Sequence, residues 1–203
     1  MSTTAQDTPG LGSREELDRR LGLIKPKDTA RGYMLSSVLK VVAEHADEEA
    51  VRRCLAVVGE RNFPTFFNYP VTAFVKLLYA AGWELTEPLG SFEAALEAFG
   101  DRMGTEFKAT MVGKALVALD GIDTKHLLLG FPHSQPTGLA HGVLSLQWTG
   151  VKSGVFLYNG ILVPYPYFVG CLYNMFKLTP ARNVQITGYD TGPTNFELAF
   201  SWE

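Results

Sequence analysis

Cysteine is scarce: Cys54 and Cys171 are the only two in 203 residues, and they stand far apart. Two so placed make no disulfide framework of the closely spaced kind, and each reads as a small apolar core residue in preference to half of a disulfide. Metal-binding patterns are missing too. Neither C-x-x-C nor H-E-x-x-H occurs, so no metal site is expected. There is no G-x-x-x-x-G-K-[ST] phosphate loop. "TGVKSG" holds glycines and a lysine, but it joins two strand patterns instead of opening a helix. No G-x-S-x-G elbow exists, and Ser145 falls in a strand pattern with no base beside it. Basic runs are absent: 18 Lys and Arg against 21 Asp and Glu give a net charge of −3. That balance leaves no electrostatic footprint for nucleic acid. Long apolar runs are lacking as well. "VTAFVKLLYAAGW" contains Lys76 and is too short for a membrane span. The polar opening "MSTTAQDTPGLGSREELDRR" has no apolar stretch of the signal-peptide kind, so a cytoplasmic protein is expected.

What is present is core material: 46% hydrophobic and 12% aromatic residues, enough for one domain of this length. Residues 1–12, with Pro9, Gly10 and Gly12, read as a disordered arm, and residues 13–203 as a single domain. Ser13 caps a short helix, "REELDRRL", with Glu15 and Glu16 in its first turn. Helical spacing follows in "RGYMLSSVLKVVAEH", "DEEAVRRCLAVVG", "VTAFVKLLYAAG", "FEAALEAFGDRM" and "EFKATMVGKALVALDG". "NFPTFFNYP" reads as an aromatic connector. The acids of "EELD" and "DEEA" sit at helix starts, where they complement the macrodipole; a catalytic carboxylate pair is the weaker reading.

In the last third the period changes to two. "VLSLQWTG" alternates, and "GVFLYNGILV" follows a Lys-Ser-Gly turn, predicting a hairpin. "PYPYFVGCLYNMFKL" is helical, and Gly170 within it predicts close packing of that helix on the sheet. "NVQITGYD" and "NFELAFSW" form a second hairpin around "TGPT". In the last strand Phe196, Leu198, Phe200 and Trp202 share one face. The fold class is therefore α+β, a helical N-terminal two-thirds followed by a β-β-α-β-β antiparallel unit.

Three of the four histidines lie within "DGIDTKHLLLGFPHSQPTGLAHG". His126 and His133 are two helical turns apart, but Gly130 and Pro132 are expected to break the helix between them. His133 and His141 read as loop residues, and no carboxylate lies in 127–142 to support a metal ligand. His126 alone reads as a residue at a helix C-terminus, where a cation is favourable.

The blocks "DTARGYMLSSVLKVV", "FFNYPVTAFVKLL", "GSFEAALEAFG" and "VGKALVALDGIDTKHLL" resemble a paralogous myxobacterial family of unknown function. The resemblance runs over about residues 15–203. The order of elements is also similar to that of haem nitric oxide/oxygen-binding domains, 4-vinyl-reductase-like domains and vesicle-tethering subunits of Golgi transport. Resemblance to the haem sensors puts His126 at the haem-ligand position. Their Tyr-x-Ser-x-Arg propionate clamp falls on "YNGIL", which keeps Tyr158 but has Gly160 for the serine and Leu162 for the arginine. A carboxylate there loses its charge-assisted partner, so haem is disfavoured as a cofactor.

These observations lead to three expectations. The first is a non-enzymatic regulatory or sensory module without haem, binding a small apolar ligand, a protein partner or both. Its pocket lies between helices and sheet, with Phe74, Leu78, Phe107, Met111, Leu116, Tyr158, Phe168 and Leu172 as candidate linings; filling the core is the competing role for each. The second is an adaptor that dimerises through helices, and the third a haem gas sensor using His126. An enzyme ranks last, because no nucleophile–base pair or metal set is visible.

Overall fold

The computed structural model describes residues 9–60, 62–118, 123–134 and 138–203, with side chains except at 112, 116–118 and 134. Helix α1 (Arg14–Leu23) starts at Ser13, whose hydroxyl accepts from the Glu16 N–H. Of the arm expected to be disordered, residues 1–8 lie outside the described residues. Leu11 packs on the core, and the Gly12 carbonyl accepts from Trp83 Nε1 at 2.7 Å.

Strand β1 (Thr29–Arg31), helices α2 (Gly32–His45) and α3 (Glu48–Val58), strand β2 (Asn68–Pro70) and helix α4 (Val71–Leu89) follow. The aromatic connector ends in β2, which pairs antiparallel with β1. Residues 138–140 run along β1 as well: Arg31 N–H donates to the Gly138 carbonyl and Ala140 N–H to that of Thr29, both at 3.0 Å. Helix α5 (Phe92–Ala109) is capped by Ser91, and α6 (Met111–Ala118) and α7 (Thr124–Ser134) come next. No helix among the described residues is long and apolar enough to cross a membrane.

The second sheet holds β3 (Val143–Gly150), β4 (Ser153–Asn159), β5 (Gln185–Gly192) and β6 (Asn195–Ser201), with helix α8 (Tyr165–Phe176) between β4 and β5. Its order is β3-β4-β6-β5, antiparallel throughout. The α+β class and the β-β-α-β-β order follow the sequence pattern. The first turn is tighter than expected, since Ser153 already belongs to β4 and pairs with Gly150, and β4 ends at Asn159, short of the Val163 that the pattern "GVFLYNGILV" reaches. Inner-face residues Phe156, Tyr158, Phe196, Leu198 and Phe200 are buried, and Tyr158 stacks on Phe196 at 4.3 Å between ring centroids. Stacked and tilted rings of this kind add about 0.5–1.5 kcal/mol per pair to the burial of their area.

Helix α8 lies between this sheet and α5. Phe168 and Phe176 face Phe196 and Phe200. Its other side makes the most extensive element contact in the fold, with α5. Gly170 belongs to that side, which corrects the expected helix–sheet role. A Cβ on Gly170 would sit 1.9 Å from the Glu97 carbonyl oxygen, and one on Gly100 would sit 1.8 Å from that of Tyr167. Two helix backbones approach this closely only where both lack side chains at the crossing.

Candidate functional site

A cavity of about 130 Å³ opens between α2, α5, α7 and α8. Its wall is mainly apolar: Met34, Met103, Phe107, Leu127, Phe131, Leu139, Phe168 and Met175 all line it. The volume is close to the roughly 150 Å³ of an engineered apolar cavity that takes benzene, and below the roughly 300–1,000 Å³ of drug-sized sites. Helix α7 supplies one wall, because Leu128 and Phe131 anchor it to the core and Phe131 meets Phe156 edge-on at 5.5 Å.

Of the eight candidate linings, Phe107 and Phe168 line the cavity. Phe74, Leu78, Tyr158 and Leu172 are buried in the core and are absent from its wall. Met111 is 84% exposed, so as a lining residue it is corrected. The Leu116 side chain lies outside the described residues. Sequence reasoning missed the contributions of Tyr33, Met34, Met103, Phe131 and Tyr167. Each sits on an apolar helical stripe, and nothing in a stripe separates a core position from one facing a void.

The polar groups of the wall are few. Asn174 is satisfied: its Nδ2 donates to the Asp101 carbonyl at 2.9 Å and to Thr105 Oγ1 at 3.1 Å. Tyr167 is fully buried, and among the described residues no group hydrogen-bonds its hydroxyl. Burial pushes the Tyr167 phenol and the Cys171 thiol well above their usual ranges, so both stay protonated near neutral pH.

The histidines part company. Helix α7 runs on through Gly130 and Pro132, correcting the expected break. Pro132 stands near the helix end and removes only its own N–H from the ladder, while Phe131 and Leu128 hold the turn in place. His126 falls in the first turn of α7, which corrects its expected place at a C-terminus. Asp123 caps that turn, and its Oδ2 lies 3.2 Å from His126 Nδ1. The His126 side chain is 73% exposed, which places it at the cavity mouth. His133 lies in the last turn of α7 and is exposed, correcting its loop assignment.

His141 is largely buried, and its Nε2 accepts a long hydrogen bond of 3.4 Å from the Leu162 N–H. Burial lowers its pKa below the ordinary 6.5, and Asp28 partly opposes that shift. The unfolded chain therefore binds the proton more readily than the folded one. Stability is expected to fall as pH drops from about 6.5 through the folded value. In His141→Gln this slope should be smaller. Urea midpoints between pH 7.5 and 5 read it, and equal slopes in the two proteins would refute it.

A family model described as a protein of unknown function matches residues 23–203. The chain belongs to the DUF2378 family. No curated protein matches it significantly. Solved structures do: an H-NOX protein from S. oneidensis in the Fe(II)NO ligation state is 13% identical, with 85% of this chain and 99% of that one covered at a TM-score of 0.68. An unliganded Fe(II) H-NOX protein from K. algicida is 11% identical, covering 85% and 96% at 0.64. At such identities the likeness is one of fold, and the DUF2378 chain shares the H-NOX architecture.

The described residues of this DUF2378 protein do not fit a haem. A planar ring of four pyrroles needs several times the cavity's volume. The His126 imidazole is turned out to solvent and toward Asp123. At the clamp positions Gly160 leaves β4 at a φ of +70°, and Leu162 is buried with no charge to offer. The Leu162 carbonyl is occupied by Arg20 Nη1 at 3.2 Å. Nearby, Tyr158 is packed among Phe156, Phe168 and Phe196. A propionate here would meet rings and the Ile161–Leu162 segment, and the cation beside them, Arg20, is already paired with Glu16. Among the described residues no group of three or more His, Cys, Asp or Glu side chains gathers to hold a metal.

Proposed function

We propose that this chain is a non-enzymatic, cytoplasmic sensory or regulatory module that takes a small apolar molecule into the cavity between α5, α7 and α8, without haem. The observation that carries the reading is the cavity itself: benzene-sized, apolar, and opening to solvent beside His126. The H-NOX architecture supports it by analogy only, since folds host unrelated functions. Occupation would tie α7, which bears the mouth, to α5 and α8. A ligand bound at a hundred times its Kd adds about 2.7 kcal/mol to folding.

A dimerising adaptor is the second reading. Phe66 and Phe67 favour it, standing 73% and 67% exposed between α3 and β2, more apolar surface than a loop tip needs. One experiment separates the readings. Freshly purified protein is examined by native mass spectrometry, then by thermal shift with toluene and with hemin. The expected result is a co-purified small molecule or a toluene-dependent rise in Tm, with no Soret band beyond that of free hemin. A Soret band that disappears in His126→Ala would establish the haem sensor instead. A dimer indifferent to every compound would establish the adaptor.

A further inference from the structure

The cavity wall is one-sided in charge. This chain has more acidic than basic side chains, 21 against 18, yet no Asp or Glu among the described residues lines the cavity. The basic groups of the wall are Lys108 from α5 and His126 from α7. His126 is already matched by the Asp123 carboxylate at 3.2 Å, so Lys108 decides the charge of the mouth. The other cations around α5 are spoken for: Lys177 holds Asp101, and Lys40 and Arg102 share Glu106. Among the described residues no carboxylate pairs with Lys108. It is half-buried, the state in which a lysine lays its methylenes on apolar surface and keeps the ammonium in water. In the last turn of α5 it also favours the helix dipole, but any face of that turn would serve the dipole equally. The face it occupies walls the cavity.

We propose that the cavity's ligand is a small organic acid in its anionic form, with a compact apolar body inside the cavity and a carboxylate left at the mouth, where the Lys108 ammonium donates to it. This rests on the reading of the cavity as a ligand site. Size and polarity assign the two ends. Met103, Phe107, Phe131 and Met175 offer the body apolar contact alone, and a charge drawn in among them would lose its water without a partner. At the mouth the carboxylate keeps part of its hydration and gains a charge-assisted hydrogen bond. Asn174 adds none, because its amide already donates to Asp101 and Thr105. A cationic ligand would meet Lys108 as a like charge.

Benzoate, benzamide and benzamidine test this, being alike in shape while carrying negative, no and positive charge near neutral pH. Binding is read by calorimetry on the whole chain, with toluene as the probe of the cavity alone. The wild type is expected to bind benzoate roughly tenfold tighter than benzamide, or about 1.4 kcal/mol, and benzamidine most weakly. Raising the ionic strength should shrink that preference, since the mouth is open to salt. Lys108→Met keeps an apolar stem and should bind benzoate no better than benzamide, while still taking up toluene. Lys108→Arg should retain the preference, and so should Lys76→Met on α4, outside the cavity wall. Benzamide bound as tightly as benzoate, a benzoate preference that survives Lys108→Met, or binding of toluene without benzoate would overturn the role of Lys108 and leave the cavity reading standing. Failure of toluene and of all three probes to bind would overturn the cavity reading, and this proposal with it.

Discussion

Gly170→Ala is expected to destabilise the fold by about 3 kcal/mol, at the upper end of ordinary overpacking. The new Cβ would lie 1.9 Å from the Glu97 carbonyl oxygen and 2.9 Å from the Asp101 nitrogen. Both obstacles are backbone of α5, so no side chain can rotate away and the two helices must part. Gly100→Ala should behave alike from the other side, with the Tyr167 carbonyl oxygen at 1.8 Å and the Cys171 nitrogen at 2.9 Å. Alanine's helix propensity works in the opposite direction, by about 1 kcal/mol, and the clash outweighs it. Gly22→Ala in α1 is the control, since nothing lies within 4 Å of its Cβ; it should be neutral or stabilise by up to about 1 kcal/mol. Urea midpoints report all three, and an unchanged midpoint in Gly170→Ala would refute the close crossing. Because α5 and α8 both wall the cavity, parting them should also weaken ligand binding.

Arg20→Ala is expected to cost about 3–5 kcal/mol, the usual penalty for leaving one member of a buried ion pair alone. Arg20 and Glu16 stack one turn apart on α1, their side chains each 3% exposed, with Arg20 Nη2 2.7 Å from Glu16 Oε1. Glu16 Oε2 also accepts from the Gly12 N–H at 2.8 Å. Arg20 reaches across to the Leu162 carbonyl, and Asp190 and the Tyr79 hydroxyl feel the same pair. Burial raises the Asp190 pKa while Arg20 holds it down, so removing the arginine should drive it higher still. The double replacement Glu16→Met with Arg20→Met should recover most of the loss, because no lone charge remains. A double variant as unstable as Arg20→Ala would show instead that the bond to Leu162, and not the desolvated charge, dominates. The comparison needs only thermal or urea unfolding.

Much of the fold was legible because burial on one side imposes a period. The stripe of Met34, Leu35, Val38, Leu39 and Val42 marks α2; Leu39 is partly buried against the core and the other four are buried. Phe196, Leu198, Phe200 and Trp202 mark β6 in the same way, each at most 8% exposed. Three-residue strands such as β1 and β2 are too short to show a period, so their pairing could not be read. Helix α7 hid for a different reason. Its glycine and proline carry helix-breaking propensity, yet Leu128 and Phe131 reach the core from the same segment, and tertiary packing overrides a local preference. His126 was consequently placed at the wrong end of a helix.

The candidate site was the least legible part. Its wall gathers Tyr33 from α2, Phe107 from α5, Phe131 from α7 and Tyr167 from α8, residues remote in sequence. Each follows the same apolar rule as its neighbours in the core. By itself the sequence determined the α+β order, the buried faces and the lack of familiar catalytic motifs, and its resemblance to the haem sensors exposed the departure of "YNGIL" from their clamp pattern. Only the tertiary structure decided that two glycine-bearing helices cross in contact, that Arg20 is buried against Glu16, and that an apolar cavity opens between α5, α7 and α8. Periodicity reports which side of an element is dry. Whether that side meets packed atoms, a charge or a void depends on what another part of the chain brings opposite it.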